Sequence, residues 1–258
     1  MNKPLPHPQE KAFFIVCLIF SIMTYLALIL SIVGIIYILF LALMVWIATG
    51  VFLGEVRTNS VKVSESQFPE VYHLATDLAA KMNLAVPDIY VMQAGGTLNA
   101  MATRFLGRNF VIIFSDVLEL AYEEGEDALA FIVAHELAHI KQKHLSRRWL
   151  VYPGLLIPFL GPAYSRSCEY TCDSFGAYYV PDGAVNGLLI LAAGKKIYNK
   201  VNVNAFLRQA DTERGLFVWL ATIISTHPPL TKRLKAITDV SAHYARTATP
   251  TAYGHTNA

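Results

Sequence analysis

Charged residues and cysteines are scarce in this chain of 258 residues. Asp, Glu, Lys and Arg make up 16% of it, where about 25% is usual for soluble domains. Hydrophobic residues reach 54%, which excludes an intrinsically disordered chain. Three cysteines in a chain of this length exclude a small disulfide-stapled fold. The formal net charge of +2 provides no large basic surface, so no nucleic-acid partner is expected.

Charges are absent altogether from Ala12 to Gly54. A membrane-spanning helix needs about 20 apolar residues, so this run predicts a hairpin of two transmembrane helices, over 12–30 and 34–54, with the lipid bilayer as partner. The run is far longer than the apolar core of a signal peptide, and no small-residue cleavage site follows it. A single tilted helix of this length would overshoot the bilayer.

The two ends of such a hairpin lie on the same side of the membrane. Basic residues flank it on both sides, whereas the turn near Ser31 carries no charge; they are Lys3, Lys11, Arg57 and Lys62. The positive-inside rule therefore predicts a cytoplasmic location for the N-terminal segment 1–11 and for the chain that follows Gly54.

The rest of the chain is predicted to form one domain, 55–240, that is mainly α with a small β-sheet. The hydrophobic spacing predicts strands over 89–92, 98–103 and 110–114, and helices over 69–84, 124–144, 165–180, 182–199, 203–210, 215–225 and 228–240. Residues 241–258 have no apolar period and are predicted to be a flexible tail.

An apolar, proline-rich insert, residues 149–164, interrupts this domain. It is too short and too often broken by proline and glycine to be a regular transmembrane helix. A re-entrant or interfacial membrane hairpin and a loop buried over the functional site both fit it equally well.

A metal-binding motif lies inside the predicted helix 124–144, in the sequence His135-Glu136-Leu137-Ala138-His139. Positions four apart lie on the same face of a helix, so both imidazoles can bind one zinc ion. Glu136 lies beside them and can take a proton from water at the metal. A chance match on a surface helix is the alternative, but this helix is otherwise apolar around the motif. The motif predicts a zinc hydrolase with one Zn²⁺ per chain.

Such an enzyme needs a third protein ligand. His144 is five residues beyond His139, and an unbroken helix would turn it about 140° away, so we interpret it as a residue that complements the helix dipole. The metzincin pattern is excluded because its glycine and histidine positions are occupied by Gln142 and Leu145.

Glu169, on the next predicted helix, is the better candidate for the third ligand. Asp173 is four residues further on the same helical face, where its carboxylate can accept a hydrogen bond from a zinc-bound histidine and fix its tautomer. Cys168 and Cys172 are also four residues apart. They are interpreted as buried thiols, with a thiolate zinc site as the alternative.

Three motifs in this order resemble the HtpX / CAAX-prenyl-protease family of membrane zinc metalloendopeptidases over residues 69–240. They are the HExxH helix, the SRxxExxxD helix about 30 residues later and the His227-Pro228-Pro229 segment. The N-terminal hairpin is similar to the HtpX-like branch. The resemblance implies an α+β, zincin-like catalytic domain with His135, His139 and Glu169 as zinc ligands and Glu136 as general base.

The resemblance also implies roles for further residues. Asp173 would support a zinc-bound histidine, Arg233 would orient Asp173, and His227 would help to stabilise the oxyanion. From its position alone, His227 could instead cap the following helix. Asn99 and Ala100 would belong to an edge strand that binds an extended polypeptide substrate through its main chain, although an ordinary internal strand fits the sequence too.

Two departures from the family pattern stand out. Cys172 occupies a position that is usually alanine, and the insert 149–164 is too short to supply two further transmembrane helices. We therefore expect two spans in all.

These observations together predict a membrane-anchored zinc endopeptidase of the gluzincin type. Its catalytic domain would lie on the cytoplasmic side of a bacterial inner membrane, where it would cleave membrane or misfolded proteins. A catalytically idle scaffold or chaperone partner is the first alternative, and the intact motif residues argue against it. Processing of CAAX proteins is the second, and no prenyl-recognition signature supports it.

Overall fold

The computed structural model describes residues 4–95, 99–124, 127–194 and 196–238. Over these residues the fold is mainly helical with one small sheet and two long N-terminal helices, as predicted. The predicted tail 241–258, the end of the last predicted helix at 239–240 and residue 98 of a predicted strand lie outside the described residues.

The N-terminal hairpin consists of α1 (Pro8–Ile29) and α2 (Ile32–Asn59), and it breaks at the predicted position. The hydroxyl of Ser31 caps α2 by accepting a 3.3 Å hydrogen bond from the backbone N–H of Gly34. A Cβ atom at Gly34 would lie 2.3 Å from the carbonyl oxygen of Leu28, so this tight turn requires glycine. Both helices are long and apolar enough to cross a membrane.

A four-stranded sheet follows, with strand order β1-β2-β4-β3. Its strands are β1 (Val61–Lys62), β2 (Asp88–Met92), β3 (Ala100–Phe105) and β4 (Arg108–Phe114). β2 and β4 are parallel, and the other two pairings are antiparallel. β3 pairs only with β4 and is therefore an edge strand of the described sheet. The sequence did not predict β1, because two residues carry no detectable period.

The remaining elements are helical. They are α3 (Pro69–Lys81), α4 (Ser115–Glu124), α5 (Asp127–Lys141), α6 (His144–Arg147), α7 (Tyr152–Leu155), α8 (Leu160–Tyr179), α9 (Pro181–Ala193), a 3-10 turn (Tyr198–Lys200), α10 (Val203–Thr212), α11 (Leu216–Ile224) and α12 (230–238).

The prediction of one helix over 124–144 was wrong at its C-terminal end. α5 begins at Asp127, directly after two residues outside the described part of the chain, and it stops at Lys141. Lys143 has a left-handed backbone, with φ of 61°, after which α6 turns in a new direction. The chain therefore changes direction immediately before His144.

α5 is the central helix of the domain. Every residue from 128 to 138 is buried, so the helix has no solvent face, as expected for a helix that is apolar on all sides. It packs against α8, α9 and β3. The burial includes His135 and Glu136, which places two polar residues of the motif inside the core.

Candidate metal centre

Two helices bring the first three candidate ligands together. On α5, His135 and His139 are one turn apart, with ring centroids separated by 5.2 Å. On α8, the carboxylate of Glu169 faces both rings. One of its oxygens, Oε2, lies 3.5 Å from Nε2 of His135, and the other, Oε1, lies 3.4 Å from Nε2 of His139.

These separations suit a shared metal ion. Two ligand atoms that each lie about 2.0–2.1 Å from a tetrahedral zinc ion are roughly 3.3–3.4 Å from one another. The two distances that join Glu169 to the histidines, 3.5 and 3.4 Å, are close to that value and longer than ordinary hydrogen bonds. Two imidazoles and one carboxylate are also a donor set that catalytic zinc sites use. The residues present therefore fit a zinc ion.

Asp173 lies behind this group. Its Oδ1 atom is 3.0 Å from Nδ1 of His135, although the angle is not that of a well-formed hydrogen bond. Arg233 donates two hydrogen bonds to Asp173, from Nε at 2.8 Å and from Nη2 at 2.7 Å. Nη1 of Arg233 is also 3.5 Å from Glu169 Oε2. One buried guanidinium thus contacts both carboxylates of α8.

Charge complementarity fixes the ionisation of this buried group. Burial alone would raise the pKa of Glu169, but His135, His139 and Arg233 hold it well below its usual value. The pKa of Asp173 is also lowered, because Arg233 and His135 outweigh the effect of burial. Both carboxylates are therefore ionised at neutral pH and available as acceptors or ligands.

The pKa of His135 is shifted in the opposite direction, upward, in the metal-free protein. Burial would lower its pKa, but Asp173 and Glu169 raise it to about 10. A metal ion that binds Nε2 must therefore displace a proton from this imidazole.

His144 lies against the site, which corrects the prediction that it points away. Its Nδ1 atom is 3.1 Å from Nδ1 of His139, and its Nε2 atom is 3.1 Å from Oε1 of Glu10. The prediction assumed an unbroken helix, and the left-handed residue Lys143, which separates α5 from α6, invalidates that assumption. Burial lowers the pKa of His144, and Glu10 offsets this only in part.

Glu10, in the first turn of α1, is a neighbour of the site that sequence reasoning missed. Besides contacting His144, its carboxylate accepts a hydrogen bond from the hydroxyl of Thr171 on α8. Glu10 and His144 are 134 positions apart, and no spacing pattern connects residues at that distance.

The described cysteines are free and buried. Cys172 offers its sulfur within 4.8 Å of ring nitrogens of His135 and His139, so it is a second candidate for the third ligand. Burial raises the pKa of this thiol well above its usual value, which disfavours the thiolate form that binds zinc. Glu169 lines the cavity described below, whereas Cys172 does not. A catalytic metal needs an open position, so the carboxylate is the better candidate.

A cavity of about 470 Å³ opens over these groups. Its wall is formed by the motif residues, the edge strand and the start of α8; among the candidate residues it includes His135, Glu136, His139, Glu169, Asn99, Ala100, His227 and Arg233. Asp173 lies just behind this wall, fully buried. The structure thus gathers all nine candidate site residues in one place.

The sequence profile of peptidase family M48 matches residues 65–161 and 154–241, well over half of the chain. The chain belongs to peptidase family M48. The matched residues include His135, His139 and Glu169.

Several relatives of this M48 chain are similar along most of its length. It is 30% identical over 181 residues to the plastoglobule-localized metallopeptidase 48 of Arabidopsis thaliana, covering 62% of this chain and 51% of that protein. It therefore spans about half the length of the Arabidopsis relative. It is 24% identical over 242 residues to a protease HtpX homolog of Syntrophobacter fumaroxidans, covering 74% of this chain and 83% of that protein.

Two further proteins are similar to this chain. A protease HtpX homolog of Desulfatibacillum aliphaticivorans is 27% identical over 243 residues, covering 75% of each chain. Among solved structures, that of S. mikatae Ste24p aligns with a TM-score of 0.48 at 15% identity, covering 86% of this chain and 67% of that one.

Proposed function

We propose that this M48 chain is a membrane-anchored zinc endopeptidase. The observation that carries the proposal is the position of the Glu169 carboxylate, 3.5 and 3.4 Å from the Nε2 atoms of the HExxH histidines. This group faces a cavity that also contains Glu136 and one edge of the sheet. His135, His139 and Glu169 would hold the zinc ion.

Each residue around the ion has a distinct task in peptide hydrolysis. Zinc, when bound, supplies a Lewis acid that polarises the peptide carbonyl and makes water acidic enough to react near neutral pH. The carboxylate of Glu136 takes the proton from the attacking water and passes it to the amine that leaves. Asp173 holds the imidazole of His135 in place, and Arg233 holds Asp173.

His227 is the candidate for stabilising the oxyanion. Its side chain is 65% exposed, and its Nε2 atom lies 3.7 Å from Glu169 Oε1. The hydroxyl of Thr226 lies 3.1 Å from Nδ1 of His227 and can fix the ring. Nε2 is then available on the cavity side, where a hydrogen bond to a developing negative charge favours the transition state.

The edge strand β3 is the candidate for binding the substrate main chain. The N–H of Phe114 donates a 3.0 Å hydrogen bond to the carbonyl of Asn99. Residues of an antiparallel strand alternate between those that face the partner strand and those that face away from it. Ala100 and Ala102 therefore direct their backbone groups to the open edge, where an extended peptide can pair with them.

The anchor and the flanking charges define the compartment and the substrate class that we propose. With α1 and α2 in the inner membrane of a bacterium, the basic flanks place the catalytic domain on the cytoplasmic side. The anchor holds the cavity close to the bilayer, which favours membrane proteins and misfolded chains near the membrane as substrates.

Metal analysis combined with a digest tests the chemistry. We expect purified protein to contain one zinc ion per chain and to cleave casein, and Glu136→Gln to retain zinc while losing proteolysis, because an amide cannot take the proton. Zinc-loaded wild-type protein that cleaves neither casein nor membrane-protein substrates would favour the idle scaffold. Casein cleavage by Glu136→Gln at the wild-type rate would contradict the mechanism.

Reporter fusions test the orientation separately. A cytoplasmic reporter fused after Thr58 should be active, and a reporter that requires export should be active near Gly34. The reverse pattern would place the catalytic domain on the other side of the membrane.

A further inference from the structure

The insert between the two motif helices packs against the middle of α1. The backbone N–H of Gly154 donates a 2.9 Å hydrogen bond to the hydroxyl of Ser21. A Cβ atom on Gly154 would lie 2.4 Å from the carbonyl oxygen of Cys17, so the two backbones are in direct contact. The hydroxyl of Tyr25 donates a 2.7 Å hydrogen bond to the carbonyl oxygen of Trp149. The insert therefore lies alongside the length of α1 and not beyond either end of the helix.

The length of α1 gives the depth of this contact. The uncharged first half of the hairpin, residues 12–30, which α1 forms up to Ile29, is roughly 28 Å long at 1.5 Å per residue, and this matches a hydrocarbon core of about 30 Å. Ser21 is the central residue of that stretch. When α1 spans a bilayer, Ser21 lies near the bilayer centre, and Gly154 must lie at the same level.

The position of the insert beside α2, the second helix of the hairpin, indicates a similar depth. A cavity of about 460 Å³ between α2 and the insert is lined by Ala42, Leu43, Trp46 and Trp149. Leu43 is the central residue of the uncharged stretch 32–54. Trp149 thus lies close to the middle of α2 and contacts α1 at Tyr25, about one turn beyond Ser21.

The surface of the insert suits hydrocarbon. Its exposed side chains are apolar, with exposed fractions of 50% for Trp149, 55% for Leu150, 67% for Leu156 and 51% for Phe159. No charge occurs from Trp149 to Tyr164. Backbone polar groups at this depth need partners within the protein, and α7, Ser21 and Tyr25 supply several of them.

We propose that residues 149–160 form a re-entrant element that enters the bilayer beside α1, with lipid acyl chains covering its outer face. The proposal rests on the membrane anchorage in the proposed function, and of the two interpretations of the insert it selects the membrane one. Leu155 of the insert and Tyr164 also line the catalytic cavity. One wall of the cavity is therefore at membrane level, which favours polypeptide segments that emerge from the bilayer as substrates.

Tryptophan fluorescence tests this depth without any measurement of proteolysis. The chain has three tryptophans, Trp46, Trp149 and Trp219, and changing two of them to phenylalanine leaves one reporter. The single-tryptophan proteins are reconstituted into phosphatidylcholine vesicles with bromine atoms at shallow or deep acyl positions. We expect Trp149 to be quenched at least twofold more strongly by the deep bromines than by the shallow ones, and to resist aqueous iodide.

The protein that retains only Trp46 distinguishes failure of the membrane anchorage from failure of the re-entrant element. Deep quenching of Trp46 together with iodide quenching of Trp149 would overturn the re-entrant element and leave the anchor intact. If Trp46 is not quenched by brominated lipid, both the anchorage and the re-entrant element are wrong. Iodide protection of Trp149 without lipid quenching would indicate a loop covered by protein, and would also overturn the proposal.

Two variants keep the test decisive if a tryptophan substitution impairs folding. A photoreactive residue at Leu156 in the otherwise unaltered chain should cross-link phospholipid, whereas the same residue at exposed Glu65 should not; equal labelling would contradict the proposal. Gly154→Val should displace the insert and weaken deep quenching of Trp149. Gly54→Val is the matched control, because a Cβ atom there meets nothing within 4 Å.

Discussion

Glu10 Oε1 lies 3.1 Å from Nε2 of His144, and Nδ1 of the same imidazole lies 3.1 Å from Nδ1 of His139. Glu10 belongs to the first turn of α1, so the helix that we propose as a membrane anchor also supports a candidate zinc ligand. This contact would give the hairpin a role in positioning His139, in addition to the role of membrane anchor that we propose for it.

Removal of Glu10 should therefore weaken zinc binding. Loss of a polar partner behind a zinc ligand typically costs 10- to 100-fold in metal affinity or activity. We expect Glu10→Ala to lower zinc affinity by about 10-fold, measured by competition with a fluorescent chelator. Glu10→Gln should recover much of the loss, because the amide oxygen can still accept from Thr171 or His144.

Glu55 is the matched control for this change, since it is an exposed carboxylate near the C-terminal end of α2. Glu55→Ala should bind zinc as the wild type does. Wild-type zinc affinity in Glu10→Ala would show that the contact with His144 has no part in positioning His139.

The buried pair of Asp173 and Arg233 should be a major source of stability. The two residues are 1% and 6% exposed, and removal of one partner leaves the other charge buried without compensation. Such changes cost about 3–5 kcal/mol. We expect Asp173→Asn to lower the free energy of unfolding by about that amount, measured by denaturant unfolding of metal-free protein in detergent. Asp182→Asn, at an exposed position, should have little effect.

The pair of Asp173 and Arg233 also predicts how the stability of the folded protein depends on pH. The pKa of Asp173 is lower in the folded protein than in the unfolded chain, where a value of about 3.9 is usual. Its stabilising contribution is therefore present above that value and is lost as the pH falls through the folded pKa. Acidification below about pH 4 should destabilise the wild type more than Asp173→Asn; equal loss in both proteins would contradict this assignment.

Sequence patterns predict those elements whose own residues show a distinctive composition or spacing. The absence of charge from 12 to 54 gave the hairpin, and the HExxH spacing placed His135 and His139 on one helical face. In contrast, the helix end at Lys141 was missed, because neither glycine nor asparagine occupies the left-handed position at Lys143. This one error removed His144 from the site.

Contacts between distant segments could not be predicted in the same way. Glu10 reaches His144 only because α1 packs against α8, and that packing depends on the shapes of whole helices. Similarly, the two interpretations of the insert 149–164 differ only in what lies beside it. The hydrogen bond between Gly154 and Ser21 shows that α1 lies beside the insert, and no residue pattern within the insert contains that information.

Two substitutions on α8 distinguish the candidates for the third ligand. Glu169→Gln should lose most of the bound zinc and all measurable proteolysis, because the amide is a much weaker ligand. Cys172→Ala should retain both, since this thiol is buried behind the cavity. Zinc content is measured by mass spectrometry after dialysis. Loss of zinc from Cys172→Ala, with zinc retained in Glu169→Gln, would establish a thiolate site instead.

The open edge of β3 should bind the substrate backbone through Ala100. The N–H of Ala100 is directed away from β4 and donates a 2.9 Å hydrogen bond to the side-chain oxygen of Asn99, which a substrate carbonyl can replace. Proline removes this N–H without breaking the ladder, as edge strands tolerate. We expect Ala100→Pro to raise KM or abolish peptide cleavage with zinc content retained, whereas Ala100→Ser, which keeps the N–H, should be mild.

Met101→Pro is the control that separates binding from folding. Met101 lies opposite Ile112, and its N–H is directed toward β4, so proline there removes a hydrogen bond within the sheet. A thermal melt should therefore show a clear loss of stability for Met101→Pro and a small one for Ala100→Pro. If folded, zinc-loaded Ala100→Pro cleaves peptides with the wild-type KM and kcat, the edge strand does not hold substrate through Ala100. Any contribution of Asn99 to substrate binding would then be independent of the N–H of Ala100.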